Sequence, residues 1–323
     1  MRAIVYHRYG PPDVLELREV EQPTPARDEA LVRVHAASVN PVEWHTMTGT
    51  PYLLRMQGGW RTPKSDRLGA DFAGTVEAVG ENVKRFQPGD DLFGIKGGAY
   101  AEFVCVREDG AVAPKPANLT FAEAAAVPIA ATTALQGLRD QGGIRSGQRV
   151  LINGASGGVG TFAVQLAKSL GAEVTGVCST DKIERARSLG ADHVIDYTRE
   201  DFTRADRGYD LLLDIAGNRS WSDLRRVLEP EATLVFVGGP KKNRLIGPYG
   251  HIVAVRLAAL RSGRKVTTFL ADVNQADLAV LSGLLEAGTV TPVIDRRYEL
   301  REAADAFRYL EEGHARGKII LTV

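Results

Sequence analysis

The residues best placed by spacing to do chemistry in this chain are small ones. In RVLINGASGGVGTFAVQLAKSLGAEVTGV, a run of apolar residues leads into Gly154, Ala155, Ser156, Gly157, Gly158, Val159 and Gly160, and an amphipathic stretch follows at once. The spacing Ala155-x-Gly157-x-x-Gly160 is the dinucleotide fingerprint with alanine in place of its first glycine. A small residue at 155 permits the tight turn, Gly157 lets backbone approach a pyrophosphate, and Gly160 lets the helix pack closely on the strand. The N–H groups at the helix start, with the positive end of its dipole, then hold the phosphates. Glycines alone would also suit a plain tight turn. The strand before them and the helix after them favour the dinucleotide.

The second strand of this unit carries a further signal. NAD binding usually uses an Asp or Glu at its end, to accept from the ribose hydroxyls. Here the strand ends Val177-Cys178-Ser179-Thr180, with no carboxylate in place. A 2′-phosphate suits that gap, and Ser179, Thr180 and Lys182 can supply donors and positive charge. Asp181, or Thr180, is expected to cap the next helix. NADPH is therefore the expected cofactor. A solvated helix position is the alternative for Lys182.

The elements that must hold these residues alternate regularly. Strands are expected at Arg149–Asn153, Glu173–Cys178, His193–Ile195, Asp210–Ile215 and Thr233–Val237. Helices are expected at Gly160–Leu170, Lys182–Leu189, Arg199–Ala205 and Trp221–Leu228. This order predicts an α/β unit, a doubly wound parallel sheet with helices on both faces. A helical stretch near Tyr249–Leu260 and an apolar strand Val266–Leu270 follow. The first third reads differently. Ala3–Tyr6, Leu15–Val20, Ala30–Ala36 and Phe72–Val79 are short β-type runs between Gly, Pro and Asp, as in a small barrel.

Composition narrows the partners. With 40 Lys plus Arg against 40 Asp plus Glu in 323 residues, there is no basic excess for nucleic acid. Two cysteines, Cys105 and Cys178, exclude both a disulfide framework and a four-thiolate zinc site. The N-terminus does not read as a signal peptide, and Phe121–Leu138, the most apolar stretch, contains Pro128 and polar residues. No membrane span and a reduced, cytoplasmic protein are expected.

Motifs spread over nearly the whole chain add a resemblance: SVNPVE at 38–43, GADFAGTVEAVG at 69–80, PGDDLFG at 88–94, AATTALQGL at 130–138, NGASGGVG at 153–160 and LGADHVIDY at 189–197. Together they make the chain similar to the zinc-independent medium-chain dehydrogenase/reductases, the quinone oxidoreductases and related enoyl or alkenal reductases. The resemblance implies a GroES-like β-barrel catalytic domain interrupted by a Rossmann domain. The implied boundaries are 1–117 with 275–323 for the first and 118–274 for the second. Zinc alcohol dehydrogenases of the superfamily carry a cysteine where this chain has Asn40 and a His-Glu pair where it has Ala70-Asp71. Three ligands for a catalytic zinc cannot be assembled at those positions, and no metal is expected.

The resemblance also implies roles. It places Asn40 beside the nicotinamide, as an amide donating to a carbonyl or quinone oxygen. His45 falls where relatives keep a tyrosine or a relay histidine, and it could return a proton after hydride transfer; a packing histidine is the alternative. Glu43 is a lesser candidate, with a structural bond to local backbone as its simpler reading. Thr133 matches a residue that touches nicotinamide, against the alternative of a hydroxyl bonding back to its helix. Tyr197 with Lys182 resembles a 2′-phosphate grip. The loops at Ala216-Gly217 and Gly238-Gly239 lie at strand C-termini, where nicotinamide sits. Lys318 aligns with a basic residue that reaches the pyrophosphate, or faces solvent.

Substrate is the least legible feature. The segment Met47–Lys64, with Trp44, Tyr52, Leu53, Leu54 and Trp60, suits a flat or apolar carbonyl or quinone, or packs a domain interface. Val266–Leu270 resembles the edge strand through which relatives pair, so a homodimer is expected. The function expected is NADPH-dependent hydride transfer to a quinone or an α,β-unsaturated carbonyl, without metal. A metal-independent alcohol dehydrogenase or carbonyl reductase, and a non-catalytic dinucleotide-binding protein, are the alternatives.

Overall fold

The strands that carry the candidate residues follow the alternation of apolar side chains with Gly, Pro and Asp. In the computed structural model, which describes residues 1–239, 245, 247, 249–260 and 262–323, the chain begins with β1 (Arg2–Val5), β2 (Glu16–Glu19) and β3 (Glu29–Val39). Helices α1 (Pro41–Thr48) and α2 (Arg55–Gly58) precede β4 (Asp71–Val79), β5 (Asp91–Ile95), β6 (Phe103–Arg107) and β7 (Val112–Pro114). Next come α3 (Phe121–Ala125), α4 (Pro128–Gln136), β8 (Arg149–Asn153), α5 (Gly158–Ser169), β9 (Glu173–Cys178), α6 (Ile183–Ser188) and β10 (His193–Asp196). The chain continues through β11 (Tyr209–Asp214), α7 (Trp221–Leu224), β12 (Leu228–Phe236), α8 (Tyr249–Ala259) and β13 (Lys265–Thr268). It closes with α9 (Gln275–Glu286), β14 (Ile294–Glu299), α10 (Ala303–Glu312) and β15 (Lys318–Thr322).

These elements form two compact units, residues 1–132 with 272–323, and residues 133–271. The first unit has a sheet in the order β14-β15-β3-β4-β5-β7, with β6 also paired to β3. It is antiparallel except at β14 and β15. One core packs Val32, Phe72, Leu92 and Val104, another Ile4, Tyr100, Phe307 and Leu321. The resemblance implied a boundary after 117, and the first compact unit runs on to Thr132. Residue Ile129 explains part of this, because its N–H donates to Asp71 at the start of β4.

The second unit is a parallel sheet, β10-β9-β8-β11-β12-β13, with Leu151, Leu212, Leu234 and Phe236 in its core. Two expected helices are shorter than their sequences suggested. Over Arg199–Ala205 only a 3₁₀ turn forms, at Phe202–Arg204, because Asp201 accepts from the backbone N–H and hydroxyl of Thr203. Helix α7 stops at Leu224 because the chain is in the sheet from Leu228, paired with Tyr209.

Candidate active site

Functional side chains fall in both units, and each group is built here from its own strands. In the first unit, register brings three strand ends together. Ile319 pairs with Val39, and Phe72 pairs with Ala37, so Lys318, Asn40 and Asp71 stand beside one another at the ends of β15, β3 and β4. Asn40 is also the N-cap of α1: its backbone N–H donates to Glu43 Oε2 at 3.0 Å, in a capping box.

The result is a buried polar cluster. Asn40 Nδ2 donates to Asp71 Oδ2 at 3.0 Å, and Ser38 Oγ donates to the same oxygen at 2.6 Å. Asp71 Oδ1 accepts from the Ile129 N–H at 3.0 Å. Lys318 Nζ donates to Asn40 Oδ1 and lies 3.5 Å from Asp71 Oδ2. Tyr100 closes the cluster by donating to the Ser38 carbonyl at 3.1 Å. Burial, then the Asp71 charge, pushes the Glu43 carboxyl up to about 8. Burial draws the Lys318 ammonium below its ordinary value although Asp71 and Glu43 pull the other way.

Two sequence expectations change here. Lys318 was expected at a pyrophosphate or in solvent, but it is 3% exposed and turned onto Asn40 and Asp71. The physical reason is charge: a buried ammonium settles against the nearest carboxylate and amide oxygen. Asn40 was expected to offer its amide to a substrate oxygen. Its Nδ2 instead faces Asp71, with the Ser38 carbonyl and Glu43 Oε1 each at 3.4 Å. The two contacts at 3.4 Å are the longer ones, and they are those that another acceptor could replace without disturbing the Asp71 bond. His45 Nδ1 lies 2.6 Å from the Thr50 carbonyl. A carbonyl only accepts, so Nδ1 bears the proton and the neutral ring accepts at Nε2. Of the expected apolar rim, Leu53 and Trp60 are exposed, whereas Trp44 packs against the core and donates to Glu311.

In the second unit the glycine turn joins β8 to α5. Gly154 and Ala155 donate to the Val177 carbonyl, which ties the turn to β9. A Cβ on residue 160 would come 2.0 Å from the Gly154 oxygen, so the close seating of α5 requires glycine. Gly157, the N-cap of α5, differs: its nearest non-neighbouring atom would lie 3.7 Å from an added Cβ. A Cβ there would sit at ordinary van der Waals distance, so packing within the chain does not demand glycine at 157. Gly158, Val159 and Gly160 open α5, where a helix leaves N–H groups without internal partners. The residues present therefore fit a dinucleotide.

The loops beyond β11 and β12 are fastened by a residue the sequence reading missed. Asp214, 0% exposed, accepts through Oδ1 from Asn153 Nδ2 at 2.7 Å and from the Gly217 N–H at 2.8 Å. It thus links the end of β8, just before the glycine turn, to Ala216-Gly217. Gly217 takes φ +60°, and a Cβ there would lie 2.4 Å from the Gly238 oxygen, so the two loops touch through backbone. The signal was a strand-end Asp inside an apolar run, which reads equally as a turn residue.

Around the end of β9 the expected donors are engaged differently. Ser179 Oγ donates to Asp181 at 2.6 Å, and Thr180 Oγ1 to Asp196. Asp181 is therefore not the cap of α6, whose N-cap is Lys182, without a side-chain bond. Hydroxyls from Thr180 and Thr198 hold the Asp196 carboxyl below its ordinary range. Lys182 is 9% exposed, while Tyr197 is 53% exposed. Thr133 is half-buried, on α4.

Comparison with known proteins places this arrangement. Residues 26–117 match the family described as alcohol dehydrogenase GroES-like domain, and residues 189–321 the family described as zinc-binding dehydrogenase. The chain is 34% identical to 2-methylene-furan-3-one reductase of Solanum lycopersicum over 336 residues, covering 99% of this chain and 79% of that one. It is 34% identical to the chloroplastic NADPH-dependent alkenal/one oxidoreductase of Arabidopsis thaliana, with 99% and 79% covered. The solved quinone oxidoreductase from Coxiella burnetii superposes with a TM-score of 0.87 at 31% identity, covering 100% and 99% of the two chains. The chain belongs to the medium-chain dehydrogenase/reductase family, in its quinone oxidoreductase-like branch, and is an oxidoreductase of that type. A GroES-like domain with a Rossmann-type parallel sheet is the fold of that family.

One of the matched families is described by zinc, and the residues here do not fit it. Among the described residues no group of three His, Cys, Asp or Glu side chains could hold a metal ion. The oxygens of Asn40 and Asp71 already face the Lys318 ammonium. Among the described residues no helix is long and apolar enough to cross a membrane.

Proposed function

We propose that this chain reduces a quinone or the β-carbon of an α,β-unsaturated carbonyl at the expense of NADPH, without a metal. The observation that carries the reading is the glycine turn. Gly160 is glycine because the helix needs it, whereas Gly157 is glycine although packing within the chain does not require it. Relatives named for alkenal, furanone and quinone chemistry supply the substrate class. The relative named NADPH-dependent supports the cofactor, and so does a β9 that ends without a carboxylate of its own.

Bound NADPH supplies the hydride. The chain's own residues do the rest. Backbone N–H groups of Gly158, Val159 and Gly160 hold the pyrophosphate, and Lys182 with Ser179, Thr180 and Tyr197 receives the 2′-phosphate. The latter grip needs Ser179 and Thr180 to release Asp181 and Asp196. Thr133, Ala216-Gly217 and Gly238-Gly239 border the nicotinamide. Asn40 donates to the oxygen that gains negative charge. His45 first takes a solvent proton at Nε2, keeping its Nδ1–H on the Thr50 carbonyl, and returns that proton once the hydride has moved.

Two further parts belong to this reading. Among the described residues no strand pairs with the outer side of β13, and Leu257, Leu260 and Leu270 nearby are 63%, 77% and 88% exposed, which supports a homodimer formed there. Two buried free cysteines accord with a reducing, cytoplasmic setting. The test is loss of NADPH absorbance with a quinone and with an enone as acceptors. Reduction of neither, by protein that binds NADPH, rejects the reading.

A further inference from the structure

The buried cluster of the first unit contains one arrangement that the reading above leaves unused. An asparagine amide has two faces that differ only in which end is oxygen, and nothing in its shape chooses between them. Here the choice is made by charge. Asn40 Oδ1 accepts from Lys318, which has no acceptor, and Asn40 Nδ2 donates to Asp71 Oδ2 at 3.0 Å. Turning the amide over would set N–H against ammonium and oxygen against carboxylate. Asp71 is itself fixed, by Ser38 Oγ at 2.6 Å and the Ile129 N–H at 3.0 Å, and Lys318 is held by its place at the head of β15.

Stability alone does not account for such a pair. A buried ion pair replaced by apolar side chains of similar volume is often neutral or stabilising, and the three strands are already joined by their own backbone register. We propose that Lys318 and Asp71 are positioning residues that lock the amide of Asn40 in one orientation for the reducing step. The inference rests on the proposed role of Asn40 and reassigns Lys318 from the cofactor to that amide. The charged and titratable groups facing Lys318 are Asp71 on β4, Glu43 on α1 and, beyond them, Tyr100. The charged ammonium can only donate and so chooses the orientation of the amide, whereas a neutral amine could donate or accept and would no longer choose.

The test uses the charge-neutral pair Lys318→Met with Asp71→Asn, which leaves no unpaired buried ion. The expected result is a folded protein that binds NADPH with wild-type affinity but has lost at least about tenfold in kcat, with KM changed less. Adding Asn40→Ala to that pair should cost nothing more, because the amide is already unlocked. Wild-type kcat in the double variant overturns the proposal. So does weaker NADPH binding with kcat intact, which would return Lys318 to the cofactor. A second measurement needs no variant and no turnover: exchange of the Asn40 side-chain amide protons by NMR in the wild type. Protection that collapses at alkaline pH, ahead of the backbone, supports the lock; exchange at the rate of an exposed asparagine rejects it. If wild type reduces neither quinone nor enone, the functional reading fails, and this exchange still decides the lock.

Discussion

The carbonyl oxygen of Gly154 lies 2.0 Å from the point that a Cβ on residue 160 would occupy, whereas the same oxygen is 3.7 Å from a Cβ on residue 157. One turn thus holds two glycines with different reasons for being glycine. Gly160→Ala meets backbone that cannot move aside, so it should cost about 1–3 kcal/mol of stability or more, as overpacking does. Gly157→Ala should leave thermal unfolding almost unchanged and weaken NADPH at least about tenfold. Unfolding curves and NADPH titrations on the two variants check this. Wild-type affinity in Gly157→Ala would mean that phosphate does not approach there.

Lys182 tests the choice of cofactor. Lys182→Ala should weaken NADPH more than NADH, by about tenfold in the ratio, since a charge-assisted contact to the extra phosphate is worth roughly 1.5–3 kcal/mol. Equal losses for the two dinucleotides, read from fluorescence titrations, would count against a 2′-phosphate grip at this residue.

Glu43 gives a pH dependence with a definite sign. Burial raises its folded carboxyl to about 8, so between the ordinary glutamate range and that value the folded protein holds a proton that the unfolded chain has lost. The stability contributed is full at acid pH and falls as pH rises through about 8. Glu43→Gln keeps an oxygen for the Asn40 N–H and removes the titration. Wild-type Tm should therefore drop more steeply than the variant's from the ordinary glutamate range up to about pH 8, and run parallel to it above that. Curves parallel below about pH 8 as well would show that Glu43 is ionised throughout.

How much of this was legible in the sequence follows from what kind of information each part needs. Strands β8 and β9 and the turn between β8 and α5 were readable because local pattern and backbone sterics determine them. The ends of α7 and the 199–205 segment were not, since pairing with Tyr209 and the side chain of Asp201 overrode helical periodicity. Asn40 could be singled out, but its partners could not. Lys318 is 278 residues away in sequence, and only the register of β15 on β3 brings it there. Asp214 was hidden for the same reason, its bonds running to a different strand and to the following loop.

The edge of the second unit makes its own prediction. If β13 and the exposed Leu257, Leu260 and Leu270 face a second copy, sedimentation at micromolar concentration should give a dimer. Leu260→Glu should shift it to monomer without unfolding the protein, because that side chain is 77% exposed in a single chain. A wild-type monomer at that concentration rules the interface out.

The central claim is that the chain carries hydride from NADPH to a conjugated acceptor without a metal. The most direct measurement follows NADPH absorbance with a quinone, an enone and an aldehyde, each with and without a chelator, on protein shown by titration to bind NADPH. The account predicts turnover of the quinone or the enone, unchanged by the chelator. Binding without reduction of any acceptor, or activity abolished by the chelator and restored by zinc, would contradict it.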